Sequence, residues 1–353
     1  MILAIDIGNT NIVLGCVEGK KTYFIERLST DKAKTELEYA VSLKNVLELY
    51  EIPVEQIEGG IISSVVPQVT ELCRSAAEKV IKKPVKVVGP GVKTGLNIKL
   101  DDPATAGSDL VVVAVAALNE YTCPQIVIDM GTATTMSVLD QKGSFIGGVI
   151  LPGLRTSLDA LVSNAAQLSQ TSLTAPKKVI KKPVKVVGPG VKTGLNIKLD
   201  DPATAGSDLV VVAVAALNEY TCPQIVIDMG TATTMSVLDQ KGSFIGGVIL
   251  PGLRTSLDAL VSNAAQLSQT SLTAPKKVIG KNTLDCMKGG MIYGNAASID
   301  GMIERMEEEL GCKCTIVATG GLAKAVIPHC RHDIIIDENL LLKGLQIIYE
   351  KNR

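Results

Sequence analysis

Three stretches of this chain could do chemistry on a nucleotide. In Asp6-Ile7-Gly8-Asn9-Thr10-Asn11, an apolar alternation from Leu3 to Ile7 leads into a turn. A strand of that kind delivers a carboxylate to the mouth of the turn. Gly8 lets the backbone approach a phosphate, and Asn9, Thr10 and Asn11 offer donors to its oxygens. Asp6 is placed to sit near Mg²⁺ and offset the ion's charge. Asp129-Met130-Gly131-Thr132-Ala133-Thr134-Thr135 repeats the design. Val317-Ala318-Thr319-Gly320-Gly321 ends a strand in paired glycines, a turn against which an adenine ring can lie flat. Each stretch alone is also what an ordinary hairpin turn or strand-to-helix connection looks like. Two acid-glycine-hydroxyl loops at equivalent places in two similar units form the stronger pattern.

The chain contains one of these loops twice. Lys79 to Ile180 recurs without a change as Lys178 to Ile279, an offset of 99 residues. The second copy therefore carries Asp228-Met229-Gly230-Thr231 for the loop at Asp129, and Gly206-Ser207-Asp208-Leu209 for Gly107-Ser108-Asp109-Leu110. No solenoid family has this period, and a structural repeat would not keep its surface loops identical, so a duplication is the better account. Taking 99 residues from 353 leaves a 254-residue template that reads continuously.

The elements that must position these loops follow from periodicity. Leu3 to Ile7, Asn11 to Val17 and Lys21 to Leu28 read as a three-strand meander, Thr35 to Tyr50 as a helix with an apolar face, and Gly60 to Val65 as a buried strand. A helix over Val69 to Val80, a strand over Val85 to Val88 and a helix over Ala106 to Asn119 complete an RNase H-like order. The pattern restarts with a meander at Gln125 to Asp129, Thr134 to Leu139 and Ser144 to Ile150, then a helix from Leu154. After the second copy come a helical region over Asn282 to Leu310, broken by Gly289-Gly290 and Gly294, a strand at Thr315 to Thr319, a strand at Asp333 to Ile336 and a helix from Asn339 to Tyr349. The expected fold class is α/β: two RNase H-like domains around a nucleotide cleft, with a duplicated segment.

The two Asp-x-Gly loops and the late Gly-Gly are similar to the two phosphate loops and the adenosine loop of the actin/hexokinase/Hsp70 ATPase superfamily. Gly89-Pro90-Gly91-Val92-Lys93-Thr94-Gly95, Gly107-Ser108-Asp109, Pro152-Gly153-Leu154-Arg155-Thr156-Ser157 and Gly280-Lys281-Asn282-Thr283 resemble type III pantothenate kinase over essentially the whole template. The resemblance implies ATP-dependent phosphorylation of pantothenate to 4'-phosphopantothenate, the first step of coenzyme A synthesis. It further implies ATP with Mg²⁺, a monovalent cation (K⁺ or NH₄⁺) and a homodimer. By it, Asp109 or its copy Asp208 is the proton acceptor. Asp6, Ile7, Gly8, Asn9, Thr10, Asn11, Ile12 and Val13 line the phosphates, and Thr132 or Thr231 contacts ATP. Gly107, Ser108, Asp109 and Leu110, or Gly206, Ser207, Asp208 and Leu209, touch pantothenate with Thr283. Asp129 or Asp228 binds the monovalent cation. The family usually carries Arg directly after the catalytic Asp, where this chain has Leu110.

One end of a first domain and one beginning of a second suffice. The expected assembly uses 1–121 as the first domain and 221–353 as the second, leaving 122–220 surplus, with an active set of Asp6, Asp109, Asp228, Thr231 and Thr283. Other partitions pair Asp109 with Asp129, or Asp208 with Asp228.

Composition narrows the alternatives. The chain is 46% hydrophobic and 20% charged with a net charge of −1, which fits a globular protein and gives no basic patch for nucleic acid. The longest apolar run, Leu110 to Leu118, is too short to span a bilayer. Met-Ile-Leu-Ala-Ile-Asp has no export pattern, so the expected location is cytoplasmic. Eight cysteines form no C-x-x-C pair, and the only histidines are His329 and His332. Carboxylates, glycines and hydroxyls must carry the chemistry. Lys93-Thr94 is not a Walker A loop, since no Gly precedes the Lys.

Overall fold

The computed structural model describes residues 1–89, 92–170, 191–202, 205–264 and 267–352. Pro90-Gly91 of the glycine-rich phrase and the junction of the two copies lie outside the described residues.

The N-terminal part forms the expected meander, β1 (Ile2–Ile7), β2 (Asn11–Glu18) and β3 (Lys21–Ser29), all antiparallel. Helix α1 (Glu36–Leu49) starts at a capping box in which Thr35 and Glu38 satisfy each other's backbone N–H. Strand β4 (Gly59–Ser64) then pairs parallel to β1, and after α2 (Pro67–Ile81) the short β5 (Val85–Val87) pairs parallel to β4. The resulting order, β3-β2-β1-β4-β5, is that of an RNase H-like sheet. Leu3, Ile5 and Ile7 alternate into a core with Ile12, Leu14, Tyr39, Leu47 and Ile62. That alternation fixes the register and leaves Asp6 beside the loop that ends β1.

Helix α3 (Ser108–Glu120) leads into β6 (Gln125–Met130), β7 (Ala133–Leu139) and β8 (Phe145–Pro152), a three-stranded antiparallel sheet, and then α4 (Leu154–Gln170). The second copy repeats these elements as α5 (Ser207–Glu219), β9 (Gln224–Met229), β10 (Ala232–Leu238), β11 (Phe244–Pro251) and α6 (Leu253–Asn263). The rest of the chain is α7 (Thr283–Gly289), α8 (Asn295–Leu310), β12 (Thr315–Thr319), α9 (Ala323–Val326), β13 (Ile335–Ile336) and α10 (Leu340–Lys351). Strand β12 pairs parallel to β9, and β13 to β12, giving a second five-stranded sheet of order β11-β10-β9-β12-β13. The two RNase H-like sheets expected from the sequence are both present.

The glycines at 289, 290 and 294 do not break the helix. Gly290–Gly294 runs on as a π-turn between α7 and α8, with Gly290, Met291 and Ile292 buried. A glycine costs a helix about 1 kcal/mol, and burying apolar side chains such as Met291 and Ile292 outweighs that.

Two compact units result, one of Met1–Leu154 with Leu260–Gln269 and Lys277–Met287, the other of Arg155–Ala259 with Thr270–Lys276 and Lys288–Arg353. The first copy's meander stays with the first sheet because α3 packs on both β4 and β6–β7, whereas α5 is covered by α10 and stays with the C-terminal part.

Candidate active site

In the first unit, β1 carries Asp6 to the edge of its turn. The Gly8 N–H donates to the Asn11 carbonyl at 2.9 Å, closing the loop, and Thr30 at the end of β3 braces it from outside. Its hydroxyl donates to the Gly8 carbonyl at 2.7 Å and its N–H to the Thr10 carbonyl at 3.0 Å. Two hydrogen bonds of about 1 kcal/mol each fix a loop that has little core of its own.

The second acid loop sits at the turn between β6 and β7. The Gly131 N–H donates to the Ala133 carbonyl at 2.9 Å, and the Gly153 N–H to the Thr132 carbonyl at 3.0 Å. A Cβ on Gly153 would run into the Gly131 and Thr132 carbonyls, so only glycine allows β8 to return this close to the loop. The two loops meet: the Thr10 and Thr132 hydroxyls are 2.9 Å apart.

Asp109 enters from a third element. Ser108 ties the start of α3 to the end of β4, its hydroxyl donating to the Ser64 carbonyl at 2.8 Å and accepting from the Ser64 N–H at 2.9 Å. That tie holds Asp109, in the first turn of α3, where its Oδ1 accepts from the Leu110 N–H at 2.8 Å. Burial pushes the Asp109 carboxyl above the ordinary range, the Leu110 N–H pulls part of that back, and the charges of Asp6 and Asp129 push it up again. Asp6 is raised as well, first by burial and then by Asp129, against a hydrogen bond from Ser63 that lowers it. With Asp6 and Asp129 close enough to act on Asp109, the three acids make an electronegative spot that suits hard cations and a proton acceptor.

Beside Asp109 lies a cavity of about 320 Å³, lined by Asn9, Leu110, Thr135, Leu267 and Thr283 among others. Thr283 is held there because Asn282 caps α7, its side chain accepting from the Asp285 N–H at 2.9 Å, and donating to Asp101 at 3.1 Å. Among the described residues, no three His, Cys, Asp or Glu side chains form a ready-made metal cage. The donors present, carboxylates of Asp6 and Asp129 and hydroxyls of Thr10 and Thr132, are all oxygen and fit ions whose remaining ligands come from phosphates.

The structure thus brings Asp6, Asp109, Asp129, Thr132 and Thr283 together in one unit, which is the partition pairing Asp109 with Asp129. Ile7, Ile12 and Val13 support the first loop from β1 and β2, with Ile7 and Ile12 in the core. Gly107, Ser108 and Leu110 surround Asp109. Asp208, Asp228 and Thr231 belong to the second unit, where burial and then the charge of Asp208 raise Asp228. Gly206, Ser207 and Leu209 stand around Asp208 as their twins do around Asp109. Gly320 also belongs there, so close to the end of β9 that a Cβ would sit 2.6 Å from the Met229 N and O. Sequence reasoning passed over Ser63 and Ser64, whose place is set by strand pairing, and named Thr135 only as the end of the second acid loop. It also passed over Leu267, which no local pattern could assign to this cavity.

A family model described as type III pantothenate kinase matches residues 2–184 and again residues 177–305. Curated relatives named type III pantothenate kinase include one from Exiguobacterium sp., 33% identical with all of both chains covered. Another, from Brevibacillus brevis, is also 33% identical with full coverage of both. Among solved structures, the activator of the 2-hydroxyisocaproyl-CoA dehydratase from Clostridium difficile is similar at 11% identity and a TM-score of 0.32, covering 99% of this chain and 95% of that one.

Proposed function

This chain belongs to the type III pantothenate kinase family, which phosphorylates pantothenate with ATP to enter coenzyme A synthesis, and from that premise we propose that the chemistry takes place at Asp6, Asp109 and Asp129 of the first unit. The supporting observation is that the charges of Asp6 and Asp129 both act on Asp109, which lines one cavity with Thr283.

Asp109 accepts the proton of pantothenate's primary hydroxyl as that oxygen attacks the γ-phosphorus. An O–P bond forms, the bond to the β,γ-bridging oxygen breaks, and ADP leaves. A raised carboxyl is the better base here, since more of its basicity survives near neutral pH. Asn9, Thr10, Asn11 and Thr132 direct donors at the phosphates, with Ile12 and Val13 holding the loop's backbone. Asp6 would hold Mg²⁺ and Asp129 the K⁺ or NH₄⁺, which supply charge neutralisation at the phosphate tail. Gly107, Ser108, Leu110 and Thr283 shape the pantothenate side. A cytoplasmic location and a homodimer complete the reading, supported by the family likeness alone.

Paired variants test the assignment. Asp109→Asn should slow ATP-dependent phosphorylation of pantothenate by about 10²-fold or more while Asp208→Asn keeps it; the opposite result sinks the choice of the first unit.

A further inference from the structure

The two copies set one peptide in two surroundings. In β9, Ile225 and Ile227 are 0% exposed and Met229 is 1%, in a strand flanked by β10 and β12. In β6, the identical Ile126, Ile128 and Met130 are 67%, 55% and 71% exposed, on a strand that among the described residues pairs with β7 alone. The helices behave alike. Val211 of α5 is 2% exposed, with Gly344 of α10 packed against its carbonyl, while Val112 of α3 is 40% exposed. There are two seats for β12–α10 and one segment to fill them.

The chain that follows the second copy, residues 280–351, is already divided between the copies. At its start, Gly280 exchanges two backbone hydrogen bonds of 3.0 Å with Gly148 on β8, the first copy. The equivalent place on the second copy is open, because a Cβ on Gly246 would meet nothing within 4 Å, whereas one on Gly147 would strike Gly280. Residues 280–286 are thus seated on the first copy, and residues 315–351 on the second.

We propose that residues 315–351 exchange, within one chain, between the seat on β9–α5 and the identical seat on β6–α3, and that the second arrangement completes the kinase. This last step rests on the site proposed above; the exchange does not. With α8 carried along, because the Asp300 carboxylate accepts from the Arg331 and His332 N–H groups, the move replaces each contact with β9 and α5 by the same residue type on β6 and α3, so these two seats are balanced and their flanks decide the occupancy. On β6, Gly320-Gly321 would lie at Asp129 and complete the set with Asp6 and Thr10. On β9 it lies at Asp228. ATP engages Asp6 and Thr10 only in the first unit, so it should shift the segment toward β6.

The β9–β12 register sets Ile225 opposite Ile316, so exchange sets Ile126 opposite Ile316. The test oxidises the full chain carrying Ile126→Cys with Ile316→Cys, beside a control carrying Ile225→Cys with Ile316→Cys, and maps the bridges by mass spectrometry. Expected are intrachain bridges in both, the first rising several-fold with ATP and Mg²⁺. A control bridge with no 126–316 bridge overturns the exchange. A 126–316 bridge found only in linked dimers also overturns it, since a second copy then fills the seat. A chain bridged at 126–316 that cannot phosphorylate pantothenate keeps the exchange and overturns the site. Hydrogen exchange on the unsubstituted chain reads the ATP-driven shift: β6 amides gain protection on adding ATP as β9 amides lose it, and unchanged β6 protection, where the cysteine variant forms the 126–316 bridge, keeps the exchange and overturns its coupling to the site.

Discussion

The hydroxyl of Thr10 lies 2.9 Å from that of Thr132, although 122 residues separate them. One ends the turn after β1 and the other the turn after β6, so the contact joins the two acid-bearing loops of the first unit. It ties the loop after Asp6 to the loop after Asp129, and the charges of both acids act on Asp109.

Thr10 and Thr132 should behave as a coupled pair. In a double-mutant cycle of Thr10→Val and Thr132→Val, read as the KM for ATP, the coupling is expected within about 0.5–3 kcal/mol. Thr10→Val with Thr231→Val should be additive. Additivity in the first cycle would mean the loops do not work together.

Asp109→Asn should lower kcat by about 10²–10⁴-fold, the usual share of a general base, with the KM for ATP little changed. The same variant should be more stable than the parent near neutral pH. The folded-state pKa of Asp109 is raised, so its contribution is fully present below the unfolded pKa and is lost as pH rises through the folded value. Thermal unfolding across pH checks this: the gain from Asn should shrink as pH falls below the ordinary carboxylate range.

The acid limb of the kcat/KM profile should lie above the ordinary range for an aspartate, because burial and two neighbouring acids hold Asp109 up. Asp129→Asn removes one of those charges and should move the limb to lower pH. Asp228→Asn should leave it where it is. A limb that follows Asp228 would transfer the chemistry to the other unit.

Gly153→Ala should destroy the loop at Thr132, since the added Cβ meets two carbonyls. Gly252→Ala strikes the Gly230 and Thr231 carbonyls in the same way. Steady-state assays should show lost ATP use for the first and near-parent kinetics for the second.

Leu110 lines the cavity beside Asp109. Leu110→Arg would bring a guanidinium within reach of pantothenate's carboxylate, and a fall in the KM for pantothenate is expected. A KM unchanged or raised would show that another group anchors that carboxylate.

Much of the fold could be read from periodicity. The alternation in Leu3 to Ile7 sets the strand that presents Asp6, and Thr35 with Glu38 marks the start of α1. The loops at Asp6 and Asp129 announced themselves by residue type. The helix through Gly289 to Gly294 did not, because local propensity argued for a break and tertiary burial prevailed. Thr283 is marked by its phrase Gly280-Lys281-Asn282-Thr283, whereas Leu267 reaches the cavity through a chain connection that no short pattern records.

The duplication separates what sequence decides from what packing decides. Lys99 with Asp140 and Lys198 with Asp239 form the same ion pair in both copies, at 2.9 and 2.8 Å, and each Asp falls to about 2. Both partners lie within one copy, folded into the same contact each time, so the pair travels with the duplicated residues. Ile126 and Ile225 share the same neighbours in sequence, yet one faces solvent and the other lies in a core. Burial depends on which distant segment arrives, and with one segment for two identical strands only the tertiary structure could choose.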